Sequence, residues 1–330
     1  MNARSAIACL GAGRMGRGIA VAFAYAGHPV TMIDVKPRSE ADFAKLEEDA
    51  LDEVRTTLDS LSRLGMLTET EADTVTSRVA VGRASQSAAV LSDVDLVFEG
   101  VPEVLDLKRE VLAAASKLVR HDAIIASTTS TILVDDLSGA IEHPGRFLNV
   151  HWLNPAYLIP LVEVSPGKST DPAIVDRVKT LLEGIGKVPV VCAARPGFIV
   201  PRIQALAMNE AARMVEEGVA SAEDIDKAIR FGFGFRYAVL GLLEFIDWGG
   251  GDILYYASRY LEGALGSDRY RAPEVISRNM REGRIGLRTG AGFLDYSGLD
   301  VDTYRQERLK AMVDLLRHFG LARPPVVDRN

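Results

Sequence analysis

Cysteine is scarce: 2 of 330 residues, Cys9 and Cys192, each inside a short apolar run that reads as a buried strand. That excludes a disulfide framework and a thiolate metal centre, so no metal is expected and a reducing compartment is implied. There is no Lys/Arg block of the kind that follows a phosphate backbone, and the formal net charge is -7, so nucleic acid is not an expected partner. No uninterrupted apolar stretch approaches the ~18 residues that would span a bilayer. The first residues also lack the basic start, apolar core and small-residue cleavage site of a secretory leader, so a cytoplasmic protein without a membrane partner is expected. Internal repeats and low-complexity segments are missing too. What remains is 48% hydrophobic and 25% charged, an ordinary globular composition.

A chain of 330 residues exceeds what one hydrophobic core usually supports, which favours two domains. Up to about Val191, short β-branched runs at 5-10, 29-34, 95-99, 123-127, 146-150, 160-165 and 188-192 alternate with amphipathic stretches. This is the pattern of strand-helix-strand units and a parallel sheet. Between Glu40 and Leu64, Phe43, Leu46, Leu51, Val54, Leu58, Leu61 and Leu64 recur at helical spacing among charged residues. The stretch reads as a long exposed helix, with a second beginning near Thr68. Arg195-Pro196-Gly197 then breaks the chain, and 198-217, 222-230, 251-264, 270-282 and 302-319 have helical period. The expected architecture is an α/β domain over 1-193 followed by an all-α domain over 194-330.

The strongest local motif is Gly11-Ala12-Gly13-Arg14-Met15-Gly16, which ends an apolar strand and opens an amphipathic helix. Glycine permits the tight turn, the close approach of backbone to a pyrophosphate, and close packing of helix on strand. The helix start then offers free N–H groups to the phosphates. Asp34 ends the next strand, where its carboxylate would take the adenosine ribose hydroxyls and repel a 2'-phosphate, so NAD is expected over NADP. Lys36 and Arg38 follow closely; they either weaken that preference or form a solvated turn.

In Arg146 to Val164, RFLNVHWLNPAYLIPLVEV, two strands are joined by a Pro-containing turn, with His151 near the end of the first and Glu163 in the second. A histidine whose second nitrogen meets a carboxylate can take the proton of an alcohol while hydride leaves, because the carboxylate fixes the tautomer and steadies the imidazolium. On spacing alone, a lone histidine beside an apolar strand is more often a satisfied core residue, and Glu163 could simply face solvent.

Taken together, the glycine loop, Val101-Pro102-Glu103 with Lys108, Ala126-Ser127-Thr128-Thr129-Ser130, His151 to Glu163 with Asn154-Pro155, Pro196-Gly197-Phe198-Ile199-Val200 and Arg288-Thr289-Gly290-Ala291-Gly292-Phe293 follow one another in a familiar order. The chain resembles the 3-hydroxyacyl-CoA dehydrogenase family over nearly its whole length. The resemblance implies a Rossmann-type NAD domain with an extra helical hairpin, a helical C-terminal domain that dimerises and shapes the substrate site, and oxidation of a 3-hydroxyl to a 3-oxo group. It implies His151 as general base, Glu163 as its orienting carboxylate, Ser130 bonded to the substrate oxygen, and Asn154 between cofactor and substrate. Glu103, Lys108 and Arg288 fall at cofactor-contacting positions.

Two positions depart from the family pattern. Phe-Ile-Val-Asn-Arg is here Phe198-Ile199-Val200-Pro201-Arg202, so a substrate-contacting amide is lost, although proline is tolerated in a first helical turn. Asn209 lies on the same helix, roughly 80° away from that face. The lysine that meets the nucleotide of coenzyme A aligns with Leu64, beside Arg63. Gly232-Phe233-Gly234-Phe235-Arg236-Tyr237-Ala238 resembles the lambda-crystallin and L-gulonate 3-dehydrogenase branch, whose substrates are free hydroxy acids. There Arg236 would bind a carboxylate through its planar fork, or else serve as a structural arginine at a helix end. Three activities stand open: a short-chain L-3-hydroxyacyl-CoA dehydrogenase, a dehydrogenase of a free 3-hydroxy acid such as L-gulonate or carnitine, and an NAD-binding structural protein without turnover. The intact Ser130, His151, Asn154 and Glu163 set argues against the last.

Overall fold

The computed structural model describes residues 4–326. Its elements run β1 (Ile7–Leu10), α1 (Arg14–Tyr25), β2 (Val30–Asp34), α2 (Glu40–Arg63), α3 (Glu69–Thr76), β3 (Val79–Arg83), α4 (Ser87–Leu91), β4 (Leu96–Glu99), α5 (Leu105–Ser116), β5 (Ile124–Ser127), α6 (Val134–Ser138), β6 (Phe147–Trp152), β7 (Leu161–Pro166), α7 (Pro172–Gly184), β8 (Val188–Val191), α8 (Val200–Glu216), α9 (Ala222–Ala228), α10 (Phe235–Tyr237), α11 (Leu242–Gly249), α12 (Gly251–Leu265), α13 (Glu274–Arg281) and α14 (Val301–His318). Contacts divide the chain into two compact units, Met1–Met208 and Asn209–Asn330. The first turns of α8 thus pack with the first unit.

In the first unit the eight strands form one sheet in the order β3-β2-β1-β4-β5-β6-β7-β8. All neighbours are parallel except β6 and β7. Crossover helices cover both faces, so a central strand is apolar throughout rather than alternating. In β1, Ile7 and Cys9 enter one buried layer while Ala8 and Leu10 enter the other. Phe23, Phe98 and Trp152 meet in the first layer with centroids 5.5–6.0 Å apart, a spacing typical of tilted and edge-to-face rings. Each such side chain stabilises the fold by about 1.5–3 kcal/mol relative to exposure.

The long charged helix is α2. Ser39 caps it by accepting the Asp42 N–H at 3.2 Å, with Glu40 and Asp42 in the first turn and Arg63 in the last, matching the helix dipole at both ends. It buries Phe43, Ala50, Val54, Leu58 and Leu61. A turn leads into α3, where Thr68 and Glu71 form a capping box. These two helices are the expected extra hairpin.

The strand β3 was not anticipated from the sequence. Val79-Ala80-Val81-Gly82-Arg83 lies at the sheet edge, and its half-exposed residues lack the continuous apolar character of the inner strands. The second unit is helical as expected, with α11 added to the anticipated set. There the 230s stretch is a single π-helical turn over Ile229–Gly234, running into α10.

Candidate active site

The turn after β1 is built as the glycine motif requires. Gly11 adopts φ +107°, and a Cβ on Gly16 would lie 2.2 Å from the Gly11 carbonyl oxygen, so no side chain fits there. A Cβ on Gly13 would meet nothing within 4 Å; the space in front of it is open. Gly13 precedes α1 and no side chain caps that helix, so its first-turn N–H groups could take a phosphate. Ala12 is buried, while Arg14 is exposed and makes no ion pair among the described residues. Met15 packs against the core. The residues present therefore fit a dinucleotide's pyrophosphate.

Asp34 is 5% exposed at the end of β2, and Arg38 turns back to pair with it while the Lys36 N–H donates to it at 3.3 Å. The turn expected to be either solvated or cofactor-facing thus closes over the carboxylate.

Beyond β4 lies an ionic network the sequence did not reveal. Glu99, fully buried, accepts from Lys108 Nζ at 2.8 Å, from the Val101 N–H at 2.8 Å and from Ser127 Oγ at 2.5 Å. Lys108 is 1% exposed; it also donates to the Val101 carbonyl at 3.1 Å and lies 3.4 Å from Glu103. Glu103 accepts from the N–H groups of Ser130 and Thr131, at 3.1 and 3.0 Å, and from the hydroxyls of Thr129 and Thr131. Burial raises the Glu103 pKa, but the Thr129 and Thr131 bonds and the Lys108 charge outweigh it and hold the carboxyl below its ordinary range. Lys108 is thus spent inside the protein. Its ammonium fixes Glu103, and Glu103 fixes the loop that presents the exposed Ser130.

The antiparallel pair β6–β7 sets His151 directly opposite Glu163. Their side chains meet at 2.7 Å between Nδ1 and Oε2, with His151 5% and Glu163 0% exposed. Glu163 Oε1 accepts two further hydrogen bonds, from the N–H groups of Ile199 at 2.9 Å and Val200 at 2.8 Å, where α8 begins. Those two donors at a helix start are the kind of partners a carboxylate takes. An ionised carboxylate only accepts, so the proton sits on Nδ1 and leaves Nε2 with a free lone pair. With Nδ1 held by the carboxylate, the other ring nitrogen is left open, a geometry able to take up a proton beside a buried acceptor. Spacing alone left two readings; the strand register decides that these side chains are partners.

Between the two strands, Asn154 is exposed and borders a cleft of about 310 Å³ with Arg14, Arg17, Thr57 and Tyr157. Lys187, which sequence reasoning missed, holds the same loop by donating to the carbonyls of Ala156 at 2.7 Å and Ile159 at 2.8 Å. Burial lowers its pKa. Pro201 occupies the second position of α8, where its missing N–H costs no helical bond. Leu64 caps the end of α2 and is 76% exposed, while Arg63 donates to Ser60.

In the second unit, Arg288 pairs with Asp252 at 2.7 Å. Of the nearby glycines, Gly290 supplies a φ of +76° and Gly292 serves packing: a Cβ on Gly292 would lie 2.1 Å from Asp247 Oδ1, and buried Asp247 accepts the N–H groups of Phe293 and Leu294 at 2.9 and 2.8 Å. Arg236 lies over the Phe245 ring, 5.2 Å from its centroid, and makes no ion pair among the described residues.

Comparison with known proteins agrees with these features. Residues 6–195 match the 3-hydroxyacyl-CoA dehydrogenase NAD binding domain and residues 197–296 match the C-terminal domain of the same family. The chain is 32% identical over 312 residues to 5-formyl-3-hydroxy-2-methylpyridine 4-carboxylate 5-dehydrogenase of Mesorhizobium japonicum, covering 94% of this chain and 97% of that one. It is 34% identical to lambda-crystallin of Oryctolagus cuniculus over 255 residues, 77% of each chain. A crystal structure of a 3-hydroxyacyl-CoA dehydrogenase from Archaeoglobus fulgidus superposes with a TM-score of 0.74 at 34% identity, covering 97% of this chain and 100% of that one. Among the described residues no helix is long and apolar enough to cross a membrane. With two family domains in order on a Rossmann sheet, the chain belongs to the NAD-dependent 3-hydroxyacyl-CoA dehydrogenase family of oxidoreductases.

Proposed function

We propose that the protein oxidises the 3-hydroxyl of a short L-3-hydroxyacyl substrate to the 3-oxo compound, with His151 as general base. The observation that carries this reading is the buried 2.7 Å bond from His151 Nδ1 to Glu163. It leaves Nε2 as the atom that takes the hydroxyl proton, and it compensates the positive charge that develops on the ring. Ser130 and Asn154 are both exposed at loop positions; Ser130 hydrogen-bonds the substrate oxygen and Asn154 sits between cofactor and substrate. Gly11, Gly13, the first turn of α1, Asp34 and Glu103 hold NAD, with Lys108 acting through Glu103. When bound, NAD supplies the acceptor for the hydride. Arg288 lies on the C-terminal unit, which we assign to substrate binding and to association into a homodimer.

A second reading, a free 3-hydroxy acid as substrate, is favoured by a specific observation. Arg236 has no carboxylate partner among the described residues, and Leu64 puts an apolar side chain where coenzyme A would want a charge. In this reading Arg236 takes the substrate carboxylate.

The test follows NADH formation at alkaline pH with 3-hydroxybutyryl-CoA, free 3-hydroxybutyrate, L-gulonate and carnitine in parallel. Turnover of the thioester supports the first reading, and turnover of free acids alone supports the second. The variant His151→Gln should lower kcat by about 10²-fold or more while NADH binding persists, because general-base effects have that size. Near-normal turnover would remove His151 from the mechanism.

A further inference from the structure

Phe198 is the one non-glycine among the described residues with a positive φ, +42°. A side chain with a Cβ resists this left-handed conformation, whereas glycine adopts it freely. Gly197, just before it, already has φ +77°. A chain needing only the reversal could have placed glycine at both positions, so the aromatic ring requires its own reason. A strained residue held at a functional site points from the outlier to a function.

The ring lies on the catalytic imidazole. The Phe198 and His151 centroids are 5.4 Å apart with an interplanar angle of 28°, and Phe198 is 5% exposed. Glu163 holds His151 by one ring nitrogen, which chooses the tautomer. A single hydrogen bond does not fix the tilt of the ring, because torsion about χ2 of histidine is broad. A flat partner against its face does. The same turn carries the Ile199 and Val200 N–H groups onto Glu163, so one five-residue reversal, Pro196 to Val200, acts on both members of the dyad.

We propose that Phe198 is a positioning residue of the base. It accepts a glycine-type backbone so that its ring can hold the His151 imidazole in the plane where Nε2 faces the substrate hydroxyl. The proposal rests on His151 being the base.

Three variants test it: Phe198→Leu removes the flat ring but keeps apolar bulk, Phe198→Gly relieves the backbone and keeps the N–H groups on Glu163, and Phe198→Tyr keeps a ring. Measured with the best substrate of the panel, Phe198→Leu and Phe198→Gly should each lower kcat at least about tenfold with KM and the NADH dissociation constant within about threefold, and Phe198→Tyr should restore most of kcat. Because glycine favours φ +42°, Phe198→Gly keeps the backbone native, and NADH binding reports an intact fold. Phe198→Leu and Phe198→Gly turning over within twofold of the natural protein would overturn the proposal, as would a tyrosine variant as slow as leucine. His151→Gln in the same experiment separates the two ideas. If it stays active, the base assignment fails; if it is inactive while the Phe198 variants are normal, only the positioning role fails.

Discussion

Glu163→Gln is the substitution that most directly interrogates the dyad, and its effect follows from three hydrogen bonds. The glutamine carbonyl can keep the Ile199 and Val200 donors at 2.9 and 2.8 Å, so the start of α8 stays attached. The amide NH₂ then faces His151 Nδ1, which must become an acceptor. The ring proton moves to Nε2, the atom that has to receive the substrate's proton. Losing a charge-assisted bond to the imidazolium costs about 1.5–3 kcal/mol, a factor of roughly 10 to 150 in rate. Tautomer inversion adds to this; the corresponding Asp→Asn change in a serine-protease triad lowers kcat by about 10⁴. A fall of about 10² to 10⁴ in kcat is therefore expected, read as NADH absorbance, while NADH binding and the melting temperature change little. A folded Glu163→Gln enzyme with kcat within threefold of the natural protein would refute the orienting role.

Three further outcomes follow from the same unit. Gly16→Ala sets a Cβ 2.2 Å from the Gly11 carbonyl oxygen, and relieving such a contact by backbone movement costs about 1–3 kcal/mol, so weaker NADH binding and a lower melting temperature are expected; unchanged values in fluorescence titration and thermal melting would count against the tight-turn argument. Burial pushes the Cys9 thiol up to about 12, and at pH 8 only about 10⁻⁴ of it is thiolate, so it should resist alkylation until the protein is denatured. The Cys192 thiol is also raised, by burial and then by the Glu163 charge, so Glu163→Gln should speed its alkylation; mass spectrometry after timed iodoacetamide treatment reads both.

What could be read from the sequence was whatever the fold buries on two sides or repeats with a period. Inner strands such as Ile7–Leu10 and Ile124–Ser127 are apolar throughout because helices cover both faces of the sheet, and α2 announced itself by Phe43, Val54, Leu58 and Leu61. The edge strand Val79–Arg83 carried no such mark. The pairing of His151 with Glu163 was legible as a possibility because two strands joined by a short turn become neighbours; the register that sets them opposite is a property of the whole sheet. The supports were not legible. Phe198 depends on a backbone angle, Lys187 on carbonyls about thirty residues earlier, Glu99 on side chains from two other elements, and Asp247 on main-chain donors that carry no side-chain signature.

The division of labour between these parts bears on where substrate recognition can change. The proposed proton-accepting geometry rests on sheet hydrogen bonds and buried polar groups, where a change that leaves a partner unpaired costs several kcal/mol. Leu64 and Pro201, which depart from the family pattern, and the candidate Arg236 are of another kind. Leu64 is largely exposed at a helix end, Pro201 occupies a first turn whose N–H has no helical partner, and Arg236 rests on one aromatic face. Substituting any of them leaves no buried group unsatisfied, so substrate recognition can drift there at little cost to folding while the dyad stays fixed. On that physical ground, changes at Leu64, Pro201 and Arg236 should bear more on substrate recognition than on the proposed dyad.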